Sequence, residues 1–222
     1  MDEYRVPGRE HVSTREFHAG RERAPHLEQD AHRPRLYAAR DMVRLAVGYL
    51  REDAPSDYAP LLVDLGCGDG GLLQLLRDGR VSIIGIDFQP SNREGWRERR
   101  VPAIAGDFVE MLLSGRCSIH GSTLPDAEIY VMTEVLEHLA EPGEVLHRLA
   151  QRPRARYLVC SSPASETIRT ADACHAWAWS IGAYRALLHW SGWDPLVHRT
   201  VKAPGTDMVF QVVLAERINS RA

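Results

Sequence analysis

Three acids stand at or near the ends of short apolar runs in the first half of the chain: Asp64 in LLVDL, Asp87 in VSIIGID and Asp107 in VPAIAGD. Directly after the first comes Gly66-Cys67-Gly68-Asp69-Gly70-Gly71, a loop that can turn sharply and let a ligand approach the backbone. Gly66, Gly68 and Gly71 fit GxGxxG, a spacing shared by several kinds of nucleoside site and also by plain tight turns. An acid at the end of the second strand of such a unit sits beside the glycine loop, where it can accept both hydroxyls of a ribose. Asp107 falls one strand further on, where an adenine amino group can be read, with Phe88 or Phe108 against the ring. Each acid alone could be a helix N-cap; three consecutive strand ends each carrying one point to a nucleoside.

A second set of chemical residues follows the fourth apolar run. Glu134, Glu137 and His138 lie at i, i+3 and i+4, which puts them on one face of a helical turn. Such a set can be half of a metal site, a base with its orienting partner, or packing residues. His175 comes from the loop after the fifth run, and strand ends of one parallel sheet meet over one crevice.

These residues need a scaffold, and the chain alternates accordingly. Apolar runs at 61–65, 81–87, 101–107, 127–132 and 155–161 alternate with segments that read as helix at 71–78, 108–113 and 142–150, with 90–100 as polar helix or loop. Continuous apolar strands separated by helices imply a parallel sheet covered on both faces. A helix at 181–192, then two strands joined by KAPGTD, implies an antiparallel hairpin at the end. A further helix precedes the first strand, carried by Leu36, Ala39, Val43, Ala46, Val47 and Leu50. Residues 1–34 hold four of the ten histidines, show no period, and read either as a solvated arm or as a lid; residues 35–222 form the domain proper.

The 222 residues suit one α/β domain. With 27 basic and 30 acidic residues the formal net charge is −3, which argues against tight nucleic-acid binding. The arginines at 93–100 are diluted by Glu94 and Glu98 and read as a solvated face. No apolar run nears the ~20 residues of a membrane helix, and no secretory signal is visible. Cys67, Cys117, Cys160 and Cys174 form no CxxC pair and read as reduced thiols in a cytoplasmic protein.

Taken together, VDLGCGDG, GIDFQP, AGDF and TEVLEHLAEP resemble the class I S-adenosylmethionine-dependent methyltransferases over roughly residues 60–215. The resemblance implies a seven-stranded Rossmann-like sheet of order 3-2-1-4-5-7-6. It also implies that Asp64 and the Gly66, Cys67, Gly68 loop hold the methionine portion. Asp87 would take the ribose, Asp107 and Phe108 the adenine, with Phe88 the other candidate against its ring, and Thr133 and Glu134 would flank the cofactor. A carboxylate at Asp64 suits an ammonium or sulfonium and would crowd a pyrophosphate, which argues against an oxidoreductase.

Methyl transfer needs alignment and exclusion of water, and a base only if the acceptor must lose a proton. His138, Glu137 and His175 are the candidates. Glu-x-x-Glu-His followed by His175 also resembles the Hen-type small-RNA 3′-terminal 2′-O-methyltransferases, which would make Glu134, Glu137, His138 and His175 ligands of a divalent metal. The reading adopted is a metal-free methyltransferase acting on O or N of a small-molecule acceptor, specificity lying in loop 161–180. Of the alternating Trp177 and Trp179, one would face the crevice. The metal-assisted RNA enzyme is the first alternative. A non-catalytic nucleoside-binding or partner-activating subunit is the second. The oligomeric state stays open.

Overall fold

The computed structural model describes residues 4–52, 54–118 and 121–218. A seven-stranded sheet runs in the order β3-β2-β1-β4-β5-β7-β6, as expected. Its strands are β1 (Leu61–Leu65), β2 (Ser82–Asp87), β3 (Ala103–Ala105), β4 (Ile129–Thr133), β5 (Tyr157–Pro163), β6 (Trp193–Lys202) and β7 (Val209–Arg217). The first five are parallel to one another; β7 pairs antiparallel with both β5 and β6.

The alternation of side chains across each strand feeds two separate cores. Tyr130, Met132, Leu158 and Cys160 point to one face; Ile129, Val131, Tyr157 and Val159 point to the other. On the second face lie α2 (Arg33–Arg51), α3 (Gly71–Leu75) and α4 (Asn92–Arg99), contributing Met42, Leu72 and Trp96. On the first lie α5 (Phe108–Ser114), α6 (Pro142–Ala150) and α7 (Ile181–Trp190), contributing Met111, Leu146 and Leu187. Both faces being covered is why the central strands are apolar without interruption. Among the described residues no helix is long and apolar enough to cross a membrane.

The N-terminal segment is built in, although it has no sequence period. It contains a 3-10 turn (Glu10–Ser13) and α1 (Arg15–Ala19). The N–H of Val6 donates to Ala176 O, and that of Ala178 to Tyr4 O, while Val12 is fully buried in the first core. Arg9 donates to the carbonyls of Asp172 and Ala173. Residues 33 and 34 already belong to the first turn of α2.

Two expectations about exposure are corrected. Arg99 is not on a solvated face: it is buried and its Nη2 meets Asp69 Oδ2 at 2.6 Å and Glu28 Oε2 at 2.7 Å. Neither Trp177 nor Trp179 faces the crevice. They stack on one another at 5.8 Å within the first core, and Trp177 Nε1 donates to Leu139 O. The segment makes only a single bridge to Arg5 and is not a regular strand, so alternation does not govern where its side chains point.

Candidate active site

The carboxyl ends of β1, β2, β3, β4 and β5 open onto one cavity of about 560 Å³, closed from above by the N-terminal segment. It is lined by Gly66, Gly68, Asp87 and Phe88 from the β1 and β2 ends, and by Asp107 and Phe108 from the β3 end. Glu134 and His138 line it after β4, and His175 after β5.

The glycine loop is shaped by its neighbours. The N–H groups of Gly66 and Cys67 both donate to Ile86 O, which pins the loop to β2. Gly66 has φ +73°, and a Cβ there would come 2.7 Å from Val135 Cγ2. Gly66→Ala therefore combines a strained left-handed backbone with a clash. It should lower both the melting temperature and nucleoside affinity, checked by a thermal scan and a titration on one preparation. At Gly95 a Cβ would meet Asp69 O at 2.7 Å, so α4 packs directly on the loop backbone.

Asp87 uses both oxygens to organise this corner. The N–H of Gly68 donates to Oδ2 at 2.9 Å and that of Gln89 to Oδ1 at 2.8 Å. The Asn92 side chain is a third donor to this carboxyl, which leaves one lone pair for a ligand hydroxyl. Burial raises the Asp87 carboxyl to about 6, with these donors working the other way. Asp107 is an N-cap, accepting from the N–H groups of Val109 (2.9 Å) and Glu110, and it also lines the cavity; cap and ligand roles are compatible for one carboxylate.

Asp64, Cys67 and Thr133 do not line the cavity. Cys67 packs into the second core, with its thiol beneath the loop. Thr133 ends β4 half-buried. Asp64 is fully buried behind Gly66, and neither of its oxygens has a hydrogen-bond partner among the described residues. Burial and the charge of Asp87 push its carboxyl up to about 7, against the pull of Arg35.

Arg35, from the first turns of α2, is a site residue that sequence reasoning missed. It is 1% exposed, lines the cavity, and stands over the Phe210 ring at 5.3 Å. Its Nη2 donates to His26 Nδ1 at 3.0 Å, while its Nε has no partner. Asp64, Glu134 and Glu137 are the acids that favour its charge. The signal was available: an arginine one turn before Ala39 on the buried stripe of α2.

After β4 the chain does not enter a helix at once. Glu134 adopts φ +56°, uncommon for a residue with a side chain, and only Leu136–His138 form a 3-10 turn. Glu134 is held by its N–H to Ser161 O and by Ser161 Oγ donating to its Oε1 at 2.8 Å. Glu137 is fully buried with both oxygens unpartnered among the described residues; burial and Glu134 raise its carboxyl well above the usual range.

The two candidate histidines do converge. The rings of His138 and His175 are 4.9 Å apart, and His18 from α1 lies edge-on to His138 at 4.8 Å. His138 Nδ1 bonds Cys174 O at 2.8 Å; a carbonyl only accepts, so Nδ1 carries the hydrogen and Nε2 is free. Burial, then His175, lower the His138 pKa well below the ordinary value. His175 Nδ1 meets Glu166 Oε2 at 2.6 Å. Burial opposes its charge, but Cys174 and Glu166, with Glu137 nearby, carry it up to about 11.

Comparison with known proteins agrees with this architecture. A family model described as a methyltransferase domain matches residues 30–208. No curated protein matches the chain in sequence. Among solved structures, magnesium protoporphyrin IX methyltransferase (ChlM) from Synechocystis PCC 6803, with bound SAH, superposes with a TM-score of 0.62. Its identity is 15%, over 94% of this chain and 97% of that one. The N-methyltransferase NodS from Bradyrhizobium japonicum WM9, in complex with S-adenosyl-L-homocysteine, gives 0.61 at 15%, over 91% and 95%. The 1,6-didemethyltoxoflavin-N1-methyltransferase of Burkholderia thailandensis gives 0.57 at 15%, over 85% and 84%. With the sheet order and the glycine-loop cavity already in place, the family match over most of the chain makes this protein a member of the methyltransferase domain family, built on the class I methyltransferase fold.

Proposed function

We propose that this chain is an S-adenosylmethionine-dependent methyltransferase acting on a small molecule. The observation that carries the reading is Asp64: a fully buried carboxyl with two unpartnered oxygens, set behind the glycine loop. Such a group is stabilised by a cation arriving beside it, and the methionine portion of this cofactor brings one. Across the same corner Arg35 offers a free Nε donor for a carboxylate, and Asp87 offers its remaining lone pair to a ribose hydroxyl. Phe88 and Phe108 supply apolar walls, and Glu134, held by Ser161, borders the transfer region.

When bound, the cofactor supplies a sulfonium methyl for in-line displacement. The chain's task is then to position the acceptor and exclude water. The N-terminal segment and loop 161–180 enclose the acceptor side, which supports reading residues 1–34 as a lid over the domain 35–222. His138 is held neutral with Nε2 free, so it can take the acceptor's proton. His175, oriented by Glu166, and Glu137 behind the turn shape the field around it. NodS and the toxoflavin enzyme are N-methyltransferases by name, which supports small acceptors as the class to screen first.

Calorimetric titration with S-adenosylhomocysteine tests the reading, with NAD as control. Micromolar binding of the first and none of the second supports it; binding of neither overturns it. Asp87→Ala should weaken that binding by about 1.5–3 kcal/mol, the cost of losing a hydrogen bond to a charged acceptor. The affinity should also depend on pH. Protonation of Asp64 near 7 removes the charge behind the glycine loop, and protonation of Asp87 near 6 removes one that lines the cavity. Binding is therefore full above pH 8 and weakens as pH falls through 7 and then 6; a flat profile from pH 8 to 5.5 would exclude these acids from the site.

A further inference from the structure

Three ligand atoms on the acceptor side of the cavity lie close enough together to hold a metal ion, and two of them belong to the histidines assigned to proton removal above. A ring nitrogen of His138, one of His175 and the Cys174 thiol all lie within 4.8 Å of one another. All three residues line the cavity. Both histidines are already arranged as ligands. His138 gives its Nδ1 hydrogen to Cys174 O (2.8 Å), and His175 gives its own to the Glu166 carboxylate (2.6 Å). Cys174 O fixes the tautomer of His138 and leaves its Nε2 for a ligand bond, and Glu166 orients the His175 ring, the support that metal-bound histidines receive. Cys174 is held in turn by Asp172, whose Oδ1 takes its backbone N–H and its thiol, each at 3.0 Å.

We propose that His138, Cys174 and His175 bind a zinc ion with its fourth position open to the cavity. Zn–N distances of ~2.0 Å and a Zn–S distance of ~2.3 Å put tetrahedral ligand atoms roughly 3.3–3.5 Å apart, so the site closes by side-chain movement of about 1 Å. Two imidazoles and a thiolate select zinc over magnesium or calcium, which take oxygen. Three protein ligands with one open position is the arrangement of catalytic rather than structural zinc. On binding, the Cys174 thiol and the His175 imidazolium each lose a proton to solvent, and the thiolate sulfur and the freed ring nitrogen take ligand bonds. Resting on the methyltransferase reading above, the fourth position takes a hydroxyl or thiol of the acceptor, and with zinc bound the metal replaces His138 Nε2 as the means of removing the acceptor's proton. The acceptor group releases its proton to solvent and faces the cavity as an anion.

The ligand set differs from the one the glutamates would supply. Glu134 is committed to Ser161, and Glu137 lies buried behind the turn. Cys174, read from sequence as a plain reduced thiol, takes their place beside the histidines.

The test is a zinc titration of the full chain followed by cobalt substitution, with S-adenosylhomocysteine affinity measured on the same samples. Wild type should bind one zinc per chain, and the cobalt form should show a thiolate-to-cobalt charge-transfer band. Cys174→Ser should remove that band. His138→Ala and Cys174→Ser should each weaken zinc binding at least 100-fold, while S-adenosylhomocysteine affinity stays within threefold and reports an intact fold. Glu166→Gln should weaken zinc binding about tenfold by loosening His175. Absence of stoichiometric zinc in wild type, or zinc binding indifferent to Cys174→Ser, overturns the site. Loss of S-adenosylhomocysteine binding in wild type with zinc still bound would instead overturn the methyltransferase reading and leave the metal site standing.

Discussion

Asp64→Asn should make the ligand-free protein more stable and the protein a poorer binder. Asp64 is fully buried with no hydrogen-bond partner among the described residues, and its carboxyl is raised from 3.8 to about 7. At ~1.4 kcal/mol for each tenfold change in proton affinity, holding it ionised in the folded apo protein costs on the order of 4 kcal/mol. The sign follows from linkage. The folded state holds this proton more tightly than the unfolded state, so the destabilisation is absent near pH 4, grows through pH 4–7 and is complete above 7. Asparagine keeps the shape without the charge. Its gain in melting temperature should therefore be largest at pH 8 and vanish near pH 4. The same change removes the carboxylate proposed to meet the cofactor's ammonium. Affinity for S-adenosylhomocysteine should fall by about 1.5–3 kcal/mol, or about 10- to 150-fold. Thermal melts across pH and a calorimetric titration check both halves. A melting temperature that drops at pH 8 would show that Asp64 is paired after all.

That trade explains why the glycine loop is legible in sequence while much of its surroundings is not. β1 and α6 fall on the residues where apolar runs and helical spacing put them, because both depend on burial that a short window reveals. The three acids were legible for a related reason: strand ends in this topology share one edge. Arg99 was misread because its partners, Asp69 and Glu28, are about thirty and seventy residues away, and local charge alternation cannot show a tertiary ion pair. The N-terminal segment has no period because its local hydrogen bonds close only short turns, while its first residues are tied to residues 172–178. Trp177 and Trp179 were expected to diverge by strand alternation, which fails where only one bridge holds the segment. Cys174 was set aside because a thiol without a CxxC partner carries no spacing signal; its neighbours arrive from β4 and from Glu166.

Arg35→Met should be among the most damaging single changes outside the cores. Arg35 is the buried cation that favours the ionised forms of Asp64, Glu134 and Glu137. Even with Arg35, and with His175 beside Glu134 and Glu137, burial raises all three carboxyls. Removing the cation leaves Asp64 with no compensating charge, and Glu134 and Glu137 with only His175 and Ser161 to offset their loss of water, a change that typically costs about 3–5 kcal/mol. For a chain of this size that corresponds to a fall of roughly 6–20 °C in melting temperature. Methionine fills much of the same volume, so a cavity does not account for the loss. The difference from wild type should shrink toward pH 5, where the acids bind protons and need no cation. Adding Asp64→Asn should recover part of the loss, because the two side chains share one electrostatic environment and their effects will not add. Were the double variant to lose the sum of the single effects, Arg35 would be acting through its contacts with Phe210 and His26 alone. The charge balance behind the glycine loop would then belong to the acids and their protons without it.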